Sequence, residues 1–127
     1  MAKRGAVRRL AGLHGLGRAA IGLGLTVAPD MTARGWIGEA VDTPGGAVAV
    51  RAMGVRDMCL GLGQWQAARR GAPIKPWLRF GALSDLVDFG ASAAIGPDAL
   101  GPMASATMGL AATSTVASLG LAALADA

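Results

Sequence analysis

Apolar and polar positions divide the chain into four long apolar segments, roughly 10–28, 46–68, 77–95 and 103–124, separated by short stretches rich in Pro, Gly and charge. The prolines mark these boundaries without any appeal to hydropathy. Pro29 closes the first segment, Pro44 precedes the second, Pro73 and Pro76 precede the third, and Pro97 and Pro102 separate the third from the fourth. Proline lacks a backbone donor and clashes with the preceding turn, so it belongs at helix ends. Each segment is close to the ~20 residues that carry an α-helix across a ~30 Å hydrocarbon layer. The pattern predicts an all-α protein, a four-transmembrane-helix bundle, with residues 1–127 forming a single membrane domain.

Composition points the same way. Hydrophobic residues make up 53% of the chain and charged residues 16%, with 20 Gly, three Trp, two Phe and no Tyr; mean hydropathy is +0.46. A soluble core of this size would use more large aromatics, whereas glycine is frequent in membrane helices, where close backbone approach replaces the hydrophobic effect as the packing force. The net charge of +4 would suggest nucleic acid only if the basic residues shared a face, and they sit in loops and at segment ends instead. The lone Cys59 excludes an intramolecular disulfide, and its apolar surroundings predict an inert buried thiol. The basic start at Lys3, Arg4, Arg8 and Arg9 invites a signal-peptide reading. Arg18 interrupts the apolar run and no small-residue cleavage site follows, so the amino terminus is expected to stay.

Basic residues also set the expected orientation. Lys3, Arg4, Arg8 and Arg9 precede the first segment, and Arg69, Arg70 and Lys75 lie between the second and third; the loop over 30–45 has only Arg34. By the positive-inside rule both termini are expected on the cytoplasmic side of a membrane crossed several times. Met31 to Val41 is a candidate short interfacial helix. Trp65 and Trp77 should then lie near the inner interface.

Against this apolar background stand six charges at membrane depth: Arg18, Arg51, Arg56, Asp57, Asp85 and Asp88. Unpaired, each would cost about 2.5–3.5 kcal/mol on the insertion scale, so they are expected to form a buried Arg/Asp network. Three Arg balance three Asp. At ~1.5 Å per residue, Arg18, Arg56, Asp57 and Asp85 reach similar depths and Arg51 is shallower. The expected pairing joins Arg56 and Arg51 to Asp88 and Asp85, and Arg18 to Asp57. At 100° per residue, Arg51, Arg56 and Asp57 cannot share one face, so the second helix must be contacted on at least two sides.

Other positions have mainly structural readings. His14 lies four residues from Arg18, hence on the same helical face, and has no metal-ligand partners at useful spacing; a structural role is expected, with a proton relay as the alternative. The run from Gly15 to Ala20 matches half of a dinucleotide fingerprint but has no strand before it, so it carries no weight. Gly54 and Gly61 in the second segment are candidate helix-packing positions. So are Ser105, Gly109, Thr113 and Ala117, which recur every four residues in a fourth segment free of charge between Asp98 and Asp126. A polar pathway lined by Thr113, Thr115 and Ser118 is the alternative reading of that segment.

The run Gly54-Val-Arg-Asp-Met-Cys-Leu-Gly-Leu-Gly-Gln-Trp65, preceded by Ala28-Pro29 and followed by Asp85 and Asp88, resembles a family of small four-helix bacterial membrane proteins of unknown function. In that family a G-x-R-D motif followed by L-G-L lies in the second helix. The resemblance covers roughly residues 10–95 and rests on Gly54, Arg56, Asp57, Leu60 and Gly61. It implies the fold and a membrane location, and no activity.

The expected function is therefore a structural or partner-binding membrane subunit, working as a homo-oligomer or with a larger membrane partner in the lipid bilayer. The alternative is a small transporter or proton-coupled pathway using the intramembrane Asp residues. No catalysis, cofactor, metal or nucleic acid is expected, since no activated Ser or Cys, metal cluster or phosphate loop is present. Close Gly and Ala packing makes a substrate-sized cavity within one copy unexpected.

Overall fold

The computed structural model describes residues 2–125. Asp126, which bounds the fourth segment in the sequence, lies outside the described residues. The fold is all-helical: α1 (Ala2–Val27), α2 (Pro29–Ile37), a 3-10 turn (Gly38–Asp42), α3 (Pro44–Arg70), α4 (Lys75–Ile95), a second 3-10 turn (Pro97–Ala99) and α5 (Ala104–Leu124). α1, α3, α4 and α5 match the four apolar segments to within one or two residues at each end, except that α1 starts well before its segment, in the basic stretch of Lys3 to Arg9. The candidate interfacial helix is α2, which stops at Gly38, where φ is +64°, and gives way to the 3-10 turn.

Local chemistry sets the ends. Thr43 caps α3 by accepting a hydrogen bond from Gly46 N at 3.0 Å, with Pro44 in the first turn, and Gly71 closes the helix in the left-handed conformation at φ +71°. Arg8 of α1 reaches the same closing turn. Its guanidinium donates to the carbonyls of Ala67 at 2.7 Å and Ala72 at 2.6 Å, placing positive charge at a helix C-terminus.

α1 and α3 run antiparallel and meet backbone to backbone. A Cβ on Gly15 would lie 2.7 Å from Gly61 O, and one on Gly54 would lie 2.6 Å from Gly22 O. Gly15 and Gly22 are seven apart, as are Gly54 and Gly61, the spacing that keeps one seam in contact along two nearly parallel axes. α4 packs along α5 through Leu78 and Ala122, and the end of the bundle at the α1 start closes around them with Ala11, Ala67 and Ile74. A second apolar cluster of Leu25, Ala33, Val41 and Val50 closes the opposite end, at α2, called the outer end as a label for position in the bundle alone. The outer connections clasp each other: Gly101 N donates to Trp36 O and Met103 N to Gly35 O, both at 2.7 Å.

The side-chain distribution is inverted relative to a water-soluble bundle. Arg18, Asp57, Asp85 and Gln64 are buried, while Leu13, Val55, Phe80, Leu83, Val87 and Val116 point outward. α1 over Lys3–Val27 and α5 over Ala104–Leu124 are long and apolar enough to cross a membrane by length and composition. α3 and α4 fall short of that measure because they carry Arg51, Arg56 and Asp57, and Arg79, Asp85 and Asp88.

Candidate functional site

Between the two apolar clusters lies a layer of charge. Arg18 of α1 donates to Asp85 of α4, to Asp57 of α3 at 3.4 Å and to the hydroxyl of Ser114 on α5 at 3.2 Å. Arg56 of α3 binds Asp88 of α4 through two parallel hydrogen bonds of 3.1 and 2.7 Å and approaches Asp57 Oδ1 at 3.1 Å. The bidentate geometry matches a planar guanidinium to a carboxylate. Arg18 can enter because Gly81 offers no side chain: a Cβ there would stand 3.3–3.4 Å from the guanidinium.

The network continues inward. Gln64 donates to Ala11 O at 2.6 Å, which fixes its amide orientation, and the same nitrogen lies 3.1 Å from His14 Nδ1. Nδ1 is therefore an acceptor, and the imidazole is neutral with its proton on Nε2, donated to Ser114 Oγ at 3.1 Å. At the outer side Trp36 Nε1 donates to Ser92 Oγ at 2.9 Å, and Ser92 Oγ donates to the carbonyl of Asp88 at 2.8 Å.

Of the six charges marked in the sequence, five come together here and Arg51 does not. It is exposed, with no ion pair among the described residues. The expected pairing is corrected accordingly: Asp85 belongs to Arg18, and Asp57 is shared between Arg18 and Arg56. The physical reason is the angular offset along α3. Arg51 shares the outer face with Val48, Val55 and Leu62, while Asp57 looks inward between α1 and α4. Cys59 lies on that outer face and is exposed, which corrects its expected burial.

The small-residue positions of α5 are corrected too. Ser105, Gly109, Thr113 and Ala117 face away from α4, and nothing approaches within 4 Å of a Cβ on Gly109. Ala104, Ser118 and Ala122 form the buried face instead. Thr113 and Thr115 return their hydroxyls to their own helix, at 2.8 and 2.9 Å, so neither donates into a pathway. Gly54 and Gly61, by contrast, are both buried against α1. Sequence reasoning passed over Gly15, Gly22, Gln64 and Ser114. The first two were detectable from the seven-residue spacing they share with Gly54 and Gly61.

A cavity of about 490 Å³ opens beside the charged layer, against the expectation of a solid bundle. It arises because α1 packs tightly on α3, and α5 on α4, while α1 and α5 barely touch. Asp57, Asp85, Asp88 and Arg18 form its charged wall, and Arg56 does not line it. Trp36 and Thr32 of α2 border its outer end. Its remaining wall includes Gly17, Ile21, Leu110, Thr113 and Ala117, all exposed, so the mouth lies between α1 and α5 on the apolar outside of the bundle.

Among the described residues no group of three His, Cys, Asp or Glu is placed to hold a metal ion. No family model, curated protein or solved structure matches the chain.

Proposed function

We propose that the chain is a four-span protein of the bacterial inner membrane, with both termini cytoplasmic, that acts without catalysis as a small binding subunit. The observation that carries this reading is the inverted distribution of side chains: ionised groups meet in the middle of the bundle, while large aliphatic residues cover its outside. In water that surface would associate or precipitate; in lipid it is the matching solvent. α3 and α4 enter the membrane in this reading because their inward charges are paired before hydrocarbon reaches them. The basic residues of the α1 start, the α3 end and the α4 start gather at one end of the bundle, which supports the orientation. The resemblance of the Gly54–Trp65 run to small four-helix membrane proteins agrees with it.

The two-to-three imbalance of Arg and Asp shifts weight from a purely structural network toward a binding cleft. With Arg51 outside, two guanidinium groups face three carboxylates. Binding would take place at the α1/α5 cleft, and assembly with a second copy or a larger partner would use Ser105 and Gly109, the part of the small-residue stripe of α5 that does not line the cleft. The test is topological. In a Cys59→Ala background, Gly45→Cys should react with an impermeant thiol reagent from outside, while tags on either terminus stay protected; termini on opposite sides would overturn the four-span reading. Mass measurement in mild detergent tests assembly, and a monodisperse single chain would count against that part.

A second reading, a proton-coupled pathway, is favoured by the unbroken polar chain from Gln64 through His14, Ser114 and Arg18 to Asp57 and Arg56. Proton flux into liposomes, abolished by Asp85→Asn or Asp88→Asn, would support it over simple binding.

A further inference from the structure

We propose that the α1/α5 cleft binds a membrane-soluble primary amine, its alkyl part against α1 and α5 and its ammonium group between Asp57 and Asp85. The inference rests on the four-span reading above and names the occupant of that cleft. Three features of the cleft converge on this class.

The first is charge. Arg18 and Arg56 carry two positive charges, Asp57, Asp85 and Asp88 three negative ones, and His14 is held neutral by its two hydrogen bonds. One positive charge completes the layer, and a low-dielectric site strongly favours its arrival. The second is hydrogen-bonding capacity. Arg18 donates to Asp85 Oδ2 and both arginines to Asp57 Oδ1, so Asp85 Oδ1 and Asp57 Oδ2 receive no donor from the described residues. Neither oxygen is among the sealed, unpartnered atoms of the interior, and both residues line the cavity. Two open acceptors suit a group with several N–H donors and an ionised nitrogen, which a primary ammonium supplies.

The third feature is access. The exposed lining residues Gly17, Ile21, Leu110 and Ala117 place the mouth on the lipid-facing side, so a ligand already dissolved in the bilayer enters sideways. A volume of about 490 Å³ exceeds what an ammonium group alone would fill and leaves room for an alkyl chain. An anionic amphiphile would meet three carboxylates, and a neutral one would leave the charge uncompensated.

The experiment uses the full-length protein in phosphatidylcholine nanodiscs, titrated calorimetrically with dodecylammonium against empty discs, with dodecanol and dodecyl sulfate as matched-chain controls. Saturable binding of one dodecylammonium per chain is expected, with dodecanol and dodecyl sulfate each at least about tenfold weaker, the scale of one lost charge-assisted contact. Asp85→Asn should weaken the amine by at least about tenfold, while Arg51→Ala, outside the cleft, should leave it unchanged. If Asp85→Asn fails to fold, Gly17→Leu decides. Nothing lies within 4 Å of a Cβ there, so the substitution fills the mouth while keeping every charge, and it should abolish the saturable component. Equal uptake by empty and loaded discs, dodecanol binding as tightly as the amine, or full binding by Gly17→Leu would each overturn the proposal. Thiol labelling of Gly45→Cys in the Cys59→Ala background, done in sealed cells where only one face of the membrane is reachable, separates the outcomes: correct topology without amine binding in the discs rejects the ligand class alone.

Discussion

α1 treats α3 and α5 in opposite ways. Against α3 it presents Gly15 and Gly22, and the two backbones come so close that Gly22 O and Thr26 N stand 2.6 and 2.7 Å from where a Cβ on Gly54 would be. Toward α5 it presents Gly17 and Ile21, and the helices part around a cavity of about 490 Å³. Glycine content alone does not distinguish the seams. The α1/α3 seam closes where a facing glycine sits at the same level, as Gly15 meets Gly61 and Gly22 meets Gly54; Gly17 meets nothing within 4 Å and leaves a gap. The closed seam brings Arg18 and Asp57 together, and the open one exposes that pair to whatever enters from the side.

The comparison breaks most sharply at the closed seam. Gly54→Leu puts a side chain into immovable backbone on the neighbouring helix, beyond the ~1–3 kcal/mol of ordinary overpacking, and is expected to abolish the folded bundle. Gly109→Ala on the open face of α5 meets no atom within 4 Å and should not destabilise the bundle, with a gain of up to about 1 kcal/mol from helix propensity. Thermal unfolding in detergent, followed by helical circular dichroism, compares the two. Equal tolerance of both substitutions would show that the α1/α3 seam is not the structural axis of the fold.

Next in size are the ion pairs between the seams. Arg18→Ala removes donors from both Asp57 and Asp85 and leaves buried carboxylates short of partners, a loss of about 3–5 kcal/mol in soluble proteins and less in lipid. A stability cycle of Arg18→Ala with Asp85→Ala should show coupling of about 0.5–3 kcal/mol, larger than the same cycle with Asp57→Ala, because Asp57 retains Arg56 at 3.1 Å. Arg51→Ala should fall within about 0.5 kcal/mol of the parent. A loss at Arg51 as large as at Arg18 would restore the three-to-three balance and remove the argument for a cation in the cleft.

Much of this layout was legible from the residues. Proline positions marked the helix ends, and matched depth identified the level at which Arg18, Asp57 and Asp85 meet. Depth is a scalar along one helix, so it can be counted. Facing is different: the offset between Arg51 and Asp57 is calculable, but which of them looks inward depends on where α1 and α4 pack, and no residue within α3 determines that. The same gap hid the outward turn of Ser105, Gly109, Thr113 and Ala117. The cavity was invisible for a further reason. It is a difference between two interhelical distances, and Gly17 reads the same in the sequence whether or not a glycine faces it.

The smallest expected effect lies outside both seams, at the outer turn that links α2 to α3. Arg34 binds Asp42 through two hydrogen bonds of 2.8 and 2.6 Å, both side chains being about half exposed. The hydrogen bonds from Arg34 are the main cause holding the Asp42 carboxyl below its ordinary value. A carboxylate whose folded pKa is depressed adds stability that is fully present above its unfolded pKa, about 3.9, and is lost as pH falls through the lower folded value. Acidification below about pH 4 should therefore loosen this turn first, while solvent screening keeps the effect small. Amide hydrogen exchange over residues 34–43 should quicken as pH falls below about 4, after correction for intrinsic rates, and Asp42→Asn should show the quicker exchange already at neutral pH with no further response to acid. If acid loosened the outer turn equally in the parent and in Asp42→Asn, the pair would not be what holds α2 against the start of α3. The hydrogen bonds from Gly101 and Met103 to the end of α2 would then be the remaining tether of the roof over the cleft.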